Sequence, residues 1–139
     1  MIQVLGEQKI QNEVEYMESI LTSIKAMLGI NADDTSFDNE LVIFINGSLS
    51  KLIQLGVGPN EGFSITGPTE TWEELFEGFT NLNLVKHYIY IDVRLLFDPP
   101  SNAFIVNAFQ DEQKEAAWRI VEFYNMNHPS EVRKDDSND

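Results

Sequence analysis

The sequence has 139 residues, 42% of them hydrophobic, with 23 acidic against 9 basic side chains and a formal charge of −14. This is ordinary globular composition, and the length suits a single domain over residues 1–139, with a core of about 10–125 and a tail of 126–139. The acidity excludes tight non-specific binding to phosphate backbones and favours solubility, while the lack of cysteine excludes disulfides, thiolate metal sites and a cysteine nucleophile.

Residues 1–8 are weakly patterned. MIQVLGEQKI has neither the basic start nor the apolar core of a signal peptide, and no apolar run approaches the roughly 20 residues of a membrane span, so the expectation is a soluble protein of a reducing compartment. From Ile10 to Leu28, apolar residues at Ile10, Val14, Met17, Ile20, Leu21, Ile24, Met27 and Leu28 recur at steps of three and four, which predicts a helix. Gly29 is its expected stop. The polar stretch NADDTSFD offers Ser36 or Asp38 as cap for a second helix over about Asn39–Leu55, with Leu41, Phe44, Ile45, Ser48, Leu52 and Leu55 on one side. Gly47 within it costs about 1 kcal/mol relative to alanine.

Residues 56–70, GVGPNEGFSITGPTE, hold four glycines and two prolines and predict a long loop of the kind that usually has a function. Thr71-Trp72-Glu73-Glu74 has the form of a capping box, and Gly78 limits the helix that it starts. Residues 81–96 fit two templates. Alternation of Tyr88, Tyr90, Asp92 and Arg94 with Ile89, Ile91, Val93 and Leu95 suits a strand, whereas Leu84, Val85, Tyr88, Ile91 or Asp92, and Leu95 share a helical face behind Asn81 or Asn83. A strand here lacks a partner elsewhere, so helix is the reading. Phe97-Asp98-Pro99-Pro100-Ser101 must be a corner, because proline has no N–H and disfavours helix before it, with Asp98 or Ser101 as the next cap. A last helix is expected from Ser101 to about Asn125, with Ala116, Ala117, Ile120, Phe123 and Tyr124 on its apolar face. His128-Pro129 ends it, and SEVRKDDSND is a charged tail. The fold class is therefore all-α: a small bundle of four to five helices with a long Gly/Pro-rich loop and an extended C-terminal tail. Its expected bulky core residues are Trp72, Tyr88, Phe97, Phe104 and Trp118.

Site chemistry is sparse. A calcium loop starting at Asn31 fails, with Ser36 at its sixth position and Val42 at its twelfth. GVGPNEG lacks the lysine and hydroxyl residue of a phosphate loop. His87 and His128 have no ligand partner at metal spacing, and Glu73, Glu74 and Glu77 sit where a helix dipole favours acid. No serine has a nucleophile-elbow context. Neither a catalytic set, a metal site nor a cofactor site is expected, and the reading is not an enzyme. Arg94 with Asp98, and Trp118 with Arg119, read either as a helix-end ion pair and a core tryptophan or as anchors of a protein interface.

SFDNELVIFINGSLSKLIQLGVGP (36–59), TWEELF (71–76), LVKHYIYIDVRLLFDPPSN (84–102) and EAAWRI (115–120) resemble, in that order and spacing, the head-to-tail connector (adaptor) proteins of long-tailed siphophages and of prophages of Gram-positive bacteria. Gln54–Pro59 and Arg94–Pro100 carry the likeness, which spans roughly residues 20–124; the family's acidic-Trp-Arg run stands here as Ala117-Trp118-Arg119. The resemblance implies an all-helical virion protein of the neck, made in the host cytoplasm. Such a protein forms a homo-oligomeric ring, commonly a dodecamer, beneath the portal protein. The ring extends the channel through which genomic DNA passes without specific binding, and it meets the next neck, stopper or tail-completion protein. On that footing the expected subunit interface is Val57, Phe63, Ile65, Arg94, Asp98, Pro99 and Pro100, and the expected portal-docking residues are Val132, Arg133 and Lys134. The competing reading is a small acidic regulator, a monomer or dimer that mimics DNA or sequesters a basic partner.

Overall fold

The computed structural model describes residues 19–75 and 81–127. Five helices lie in this part of the chain: α1 (Ile20–Met27), α2 (Asp38–Gln54), α3 (Trp72–Leu75), α4 (Leu82–Phe97) and α5 (Ala103–Asn127). The described residues contain no strand; the sole ladder contact among them is an antiparallel bridge between Ser19 and Thr71, joined by the Ile20 N–H donating to the Glu70 carbonyl at 3.1 Å. The protein is all-α, and residues 82–97 are helical despite their alternation. Tyr88, Ile89, Asp92 and Val93, drawn from both sets of the alternating pattern, are all buried, because this helix is packed on more than one side. An amphipathic strand would have exposed every second one.

α1 and α2 end in the same way. Gly29 and Gly56 have φ of 79° and 86°, a left-handed conformation that glycine adopts without a Cβ clash. Behind α1, Gly29 N–H bonds to Ala26 and Ile30 N–H to Lys25; behind α2, Gly56 N–H bonds to Ile53 and Val57 N–H to Leu52. These paired bonds form Schellman motifs, which bring the residue after the glycine back onto the last turn. That is why Val57 is a core residue.

The caps depart from expectation. Neither Ser36 nor Asp38 caps α2: Phe37 occupies the cap with no side-chain bond, the Asp34 carboxylate takes the Ser36 N–H at 3.1 Å, and Asp38 pairs with buried Lys25 at 2.8 Å. Lys25 also donates to the Ala32 carbonyl at 3.1 Å, so one lysine closes the turn between α1 and α2. At α5 the cap is Asn102, not Asp98 or Ser101; its side-chain oxygen accepts from the Phe104 N–H at 2.8 Å. The capping box at α3 is present: Glu74 N–H donates to Thr71 Oγ1 at 3.3 Å and Thr71 N–H to Glu74 Oε2 at 3.4 Å.

α4 lies between α2 and α5 and packs along both. The proline corner folds α5 back antiparallel, pairing Arg94 with Phe109, Asp92 with Gln113 and His87 with Glu112. One apolar core joins Ile20, Leu21 and Ile24 of α1, Leu41, Ile45, Leu49 and Leu52 of α2, Val85 and Ile89 of α4, and Ala116 and Ile120 of α5. Trp72 seals it, buried, with its indole N–H donating to Ser23 Oγ at 3.1 Å and the Lys86 ammonium 5.7 Å above the ring.

Candidate interaction surfaces

The long loop is held down. Asn46 of α2 accepts the Ile65 N–H at 2.7 Å and donates to the Ile65 carbonyl at 2.9 Å, satisfying both backbone groups of a residue whose side chain enters the core. A Cβ on Gly58, whose φ is 113°, would lie 2.6 Å from the Phe63 ring and 2.7 Å from Ile53, so the backbone passes there only as glycine. Glu70 gathers the far end: its carboxylate accepts from the Thr66 N–H and hydroxyl at 2.9 and 2.7 Å and from the Gly67 N–H at 3.4 Å. Burial, the largest single influence, pushes its pKa up, but these hydrogen bonds together outweigh burial and hold it below the usual glutamate value. Tyr124 from α5 reaches over to donate to the Gly58 carbonyl at 3.3 Å. Val57 and Ile65, expected to face a neighbouring subunit, are instead 1% and 2% exposed inside this one, and Phe63 is half-buried against the same core. The loop is part of the subunit's own packing.

Between the three long helices lies a buried carboxylate. Asp92 Oδ1 meets Lys51 Nζ at 2.8 Å and accepts from the Gln113 amide, while its Oδ2, like Ser48 Oγ of α2, is buried without a hydrogen-bond partner. The cluster ties α2, α4 and α5 through one residue. Tyr88, one turn earlier, has its hydroxyl pKa pushed up to about 12, first by burial and then by the Asp92 charge. The arrangement positions the three helices against one another.

Arg94 is also used internally. Its Nε donates to the Asp98 carbonyl at 2.9 Å, its guanidinium to the Tyr90 hydroxyl at 3.0 Å, and it lies 5.7 Å from the Phe109 ring. It thereby fastens the corner, leaving Asp98 and Pro99 exposed at the tip and Pro100 half-exposed. Phe97 is half-buried there, edge-on to Phe37 at 5.2 Å.

The outward face of α5 overturns two core assignments. Phe104 is 80% and Trp118 64% exposed, and Met126, which the sequence reading did not single out, is 77% exposed. At about 100° per residue Phe104 and Trp118 stand opposite buried Ile120, while Met126 stands about 120° from it, at the flank of that face. Sheer bulk suggested core; the helical period, anchored on Ala116 and Ile120, places them outside. Beside this face, Leu84, His87, Glu112, Glu115, Ala116 and Arg119 line a groove of about 190 Å³, in which His87 Nε2 and Glu112 Oε2 are 3.2 Å apart and Arg119 pairs with Glu115 at 2.6 Å. On α2, Ile43 is 69% exposed, a second apolar side chain that the sequence reading passed over. It lies two residues from both Leu41 and Ile45, and so across the helix from the face that they bury.

Glu77, His128 and the tail residues Val132, Arg133 and Lys134 lie outside the described residues. Among the described residues there is no cluster of three metal-ligating side chains, and no helix is long and apolar enough to cross a membrane. No curated protein and no solved structure matches the chain. The family model described as phage connector protein does match, over residues 20–125. That span takes in α1 through nearly all of α5, so the helices, the pinned loop and the proline corner are together the body of the match, and the chain belongs to the phage connector protein family.

Proposed function

We propose that the chain is a structural head-to-tail connector of a siphophage or related prophage. In this reading it docks as a closed ring, commonly a dodecamer, beneath the portal, extends the DNA channel and presents the surface for the next neck protein. The family match over residues 20–125 carries this reading, since it implies a virion component that associates with other head or tail proteins. Support comes from large apolar side chains left uncovered along α5, at Phe104, Ile105, Trp118 and Met126, a pattern that marks contact surfaces. The charge of −14 suits a conduit through which DNA slides without sticking. Within the ring, the exposed corner at Asp98, Pro99 and Pro100 contributes to subunit contact, and Val132, Arg133 and Lys134 dock on the portal.

The test mixes purified protein with portal-bearing capsids of the same phage and images the vertex by electron microscopy. A ring of density added under the portal is the expected result; bare portals at saturating protein overturn the reading. Deleting residues 126–139 is expected to abolish attachment while leaving helicity intact, and normal attachment of the truncated chain removes the docking role of the tail.

A further inference from the structure

Apolar and acidic side chains alternate along the outer face of α5. Phe104, Asp111 and Trp118 follow one another at intervals of seven residues, Glu115 and Glu122 do the same, and all of them are exposed, as is Met126. Seven residues make nearly two helical turns, so the six fall in one stripe about 80° wide and about 33 Å long. Its carboxylates differ in what they touch. Glu115 holds Arg119 at 2.6 Å, and Glu112, on the flank, is joined to His87 at 3.2 Å. Asp111 and Glu122 have no ion-pair partner among the described residues. Lys114 stands at the edge of the stripe, exposed, and no carboxylate or aromatic ring among the described residues engages it.

We propose that this stripe seats a basic, apolar segment of a different virion protein, with apolar side chains against Phe104, Trp118 and Met126 and lysine or arginine opposite Asp111 and Glu122. The inference rests on the connector reading above and names the chemistry of the partner. Large apolar side chains gain by leaving water, but the carboxylates set between them lose hydration on contact unless the partner brings a cation. A purely apolar partner is therefore disfavoured. An anionic one is disfavoured more, because the phosphates of nucleic acid or of an acidic lipid surface would meet Asp111, Glu115 and Glu122. A second copy of this chain cannot supply the charge either. Among its described cations, Lys25 and Lys51 are held by Asp38 and Asp92, Lys86 lies over Trp72 and Arg94 over Phe109, and Arg119 is held by Glu115. Lys114 is what remains, and it belongs to the edge of the same stripe.

The chain has two tryptophans, Trp72 1% exposed and Trp118 64%, so the long-wavelength part of its emission reports the stripe. The first probe is a labelled synthetic amphipathic helix of leucine and lysine, titrated against the full chain at about 0.15 M salt and followed by anisotropy. Saturable binding with a blue shift of the tryptophan emission is expected, and no binding of the same peptide with glutamate in place of lysine. Asp111→Asn with Glu122→Gln is expected to weaken binding about tenfold. Lys114→Gln, which removes a repelling charge, is expected to tighten it about twofold. Asp33→Asn with Asp34→Asn removes as much charge from the turn between α1 and α2 and is expected to change binding by less than about twofold. Equal weakening by the two double variants means attraction to the charge of the whole molecule and overturns the proposal. Binding of the glutamate peptide, binding without the blue shift, or no binding of the lysine peptide overturns it as well. The second probe is a phage lacking this chain, complemented with wild type or with Asp111→Lys and Glu122→Lys together, with tailed particles counted by electron microscopy. Wild type is expected to restore tails, and the variant, with helicity unchanged, to lower their number at least tenfold. Normal tails with the variant overturn this inference and leave the connector reading standing. Failure of wild type to restore tails overturns the connector reading, and the peptide titrations then decide the chemistry of the stripe separately.

Discussion

Asp92 is the residue on which three helices agree, and its two oxygens are treated differently. One has Lys51 and Gln113; the other is buried without a protein partner. A buried carboxylate loses hydration that a half-exposed lysine only partly replaces. The two single changes should therefore be unequal. Lys51→Met strands the charge and is expected to cost about 2–3 kcal/mol, whereas Asp92→Asn keeps an acceptor for Gln113 and discards the charge, costing under about 1 kcal/mol. Urea denaturation checks the order, and an Asp92→Asn loss larger than that of Lys51→Met would show that the pair itself is net stabilising. Tyr88 gives the site a pH signature. Its hydroxyl pKa is raised to about 12 from 10.0, so the folded state holds the proton more tightly than the unfolded one. The associated stability is complete below pH 10 and is lost as pH rises from 10 towards 12. Tyr88→Phe should flatten that alkaline fall in stability. At the acid end the sign reverses for Glu70, whose pKa is lowered from 4.5. Its contribution is complete above pH 4.5 and disappears as pH falls through the folded value. Glu70→Gln is expected to destabilise by about 1 kcal/mol at pH 7, allowing for its partial exposure, and by nothing measurable near pH 3.

Among the elements, α5 separates packing from display most clearly. Trp72→Ala empties a buried site and should cost about 3–5 kcal/mol, while Trp118→Ser removes an exposed ring and should shift subunit stability by no more than about 0.5 kcal/mol. Equal losses in thermal melts of the monomeric chain would mean that Trp118 is packed in solution. The contrast also shows what the sequence made legible. The stops at Gly29 and Gly56, the capping box at Thr71 and Glu74, the proline corner and the apolar face of Ala116 and Ile120 are local signals, and local chemistry decides them. The place of Val57 and Ile65 was not local. It depends on a Schellman turn folding back and on Asn46, nineteen residues away, binding the Ile65 backbone. The loop's composition announced only that it was a loop. Trp118 was legible and misread, because size was given more weight than the period that its neighbours had already established.

For the whole molecule, the charge of −14 sets a condition on any assembly of like copies. Each approaching subunit meets a repulsion that acts over the Debye length, about 30 Å at 0.01 M salt and about 8 Å at 0.15 M. The attraction that can oppose it is of two kinds. Contacts through exposed apolar side chains such as Phe104, Trp118 and Ile43 are insensitive to moderate salt, while exposed ion pairs contribute about 0–1 kcal/mol each and weaken as salt rises. Over the low-salt range, screening of the many repelling carboxylates outweighs the loss of these few pairs. Self-association measured by sedimentation equilibrium should therefore strengthen between about 0.01 and 0.15 M salt and level off above it, where only contact-range forces remain. An association that weakens steadily from the lowest salt upward would mean that ion pairs, not apolar contacts, hold the copies together.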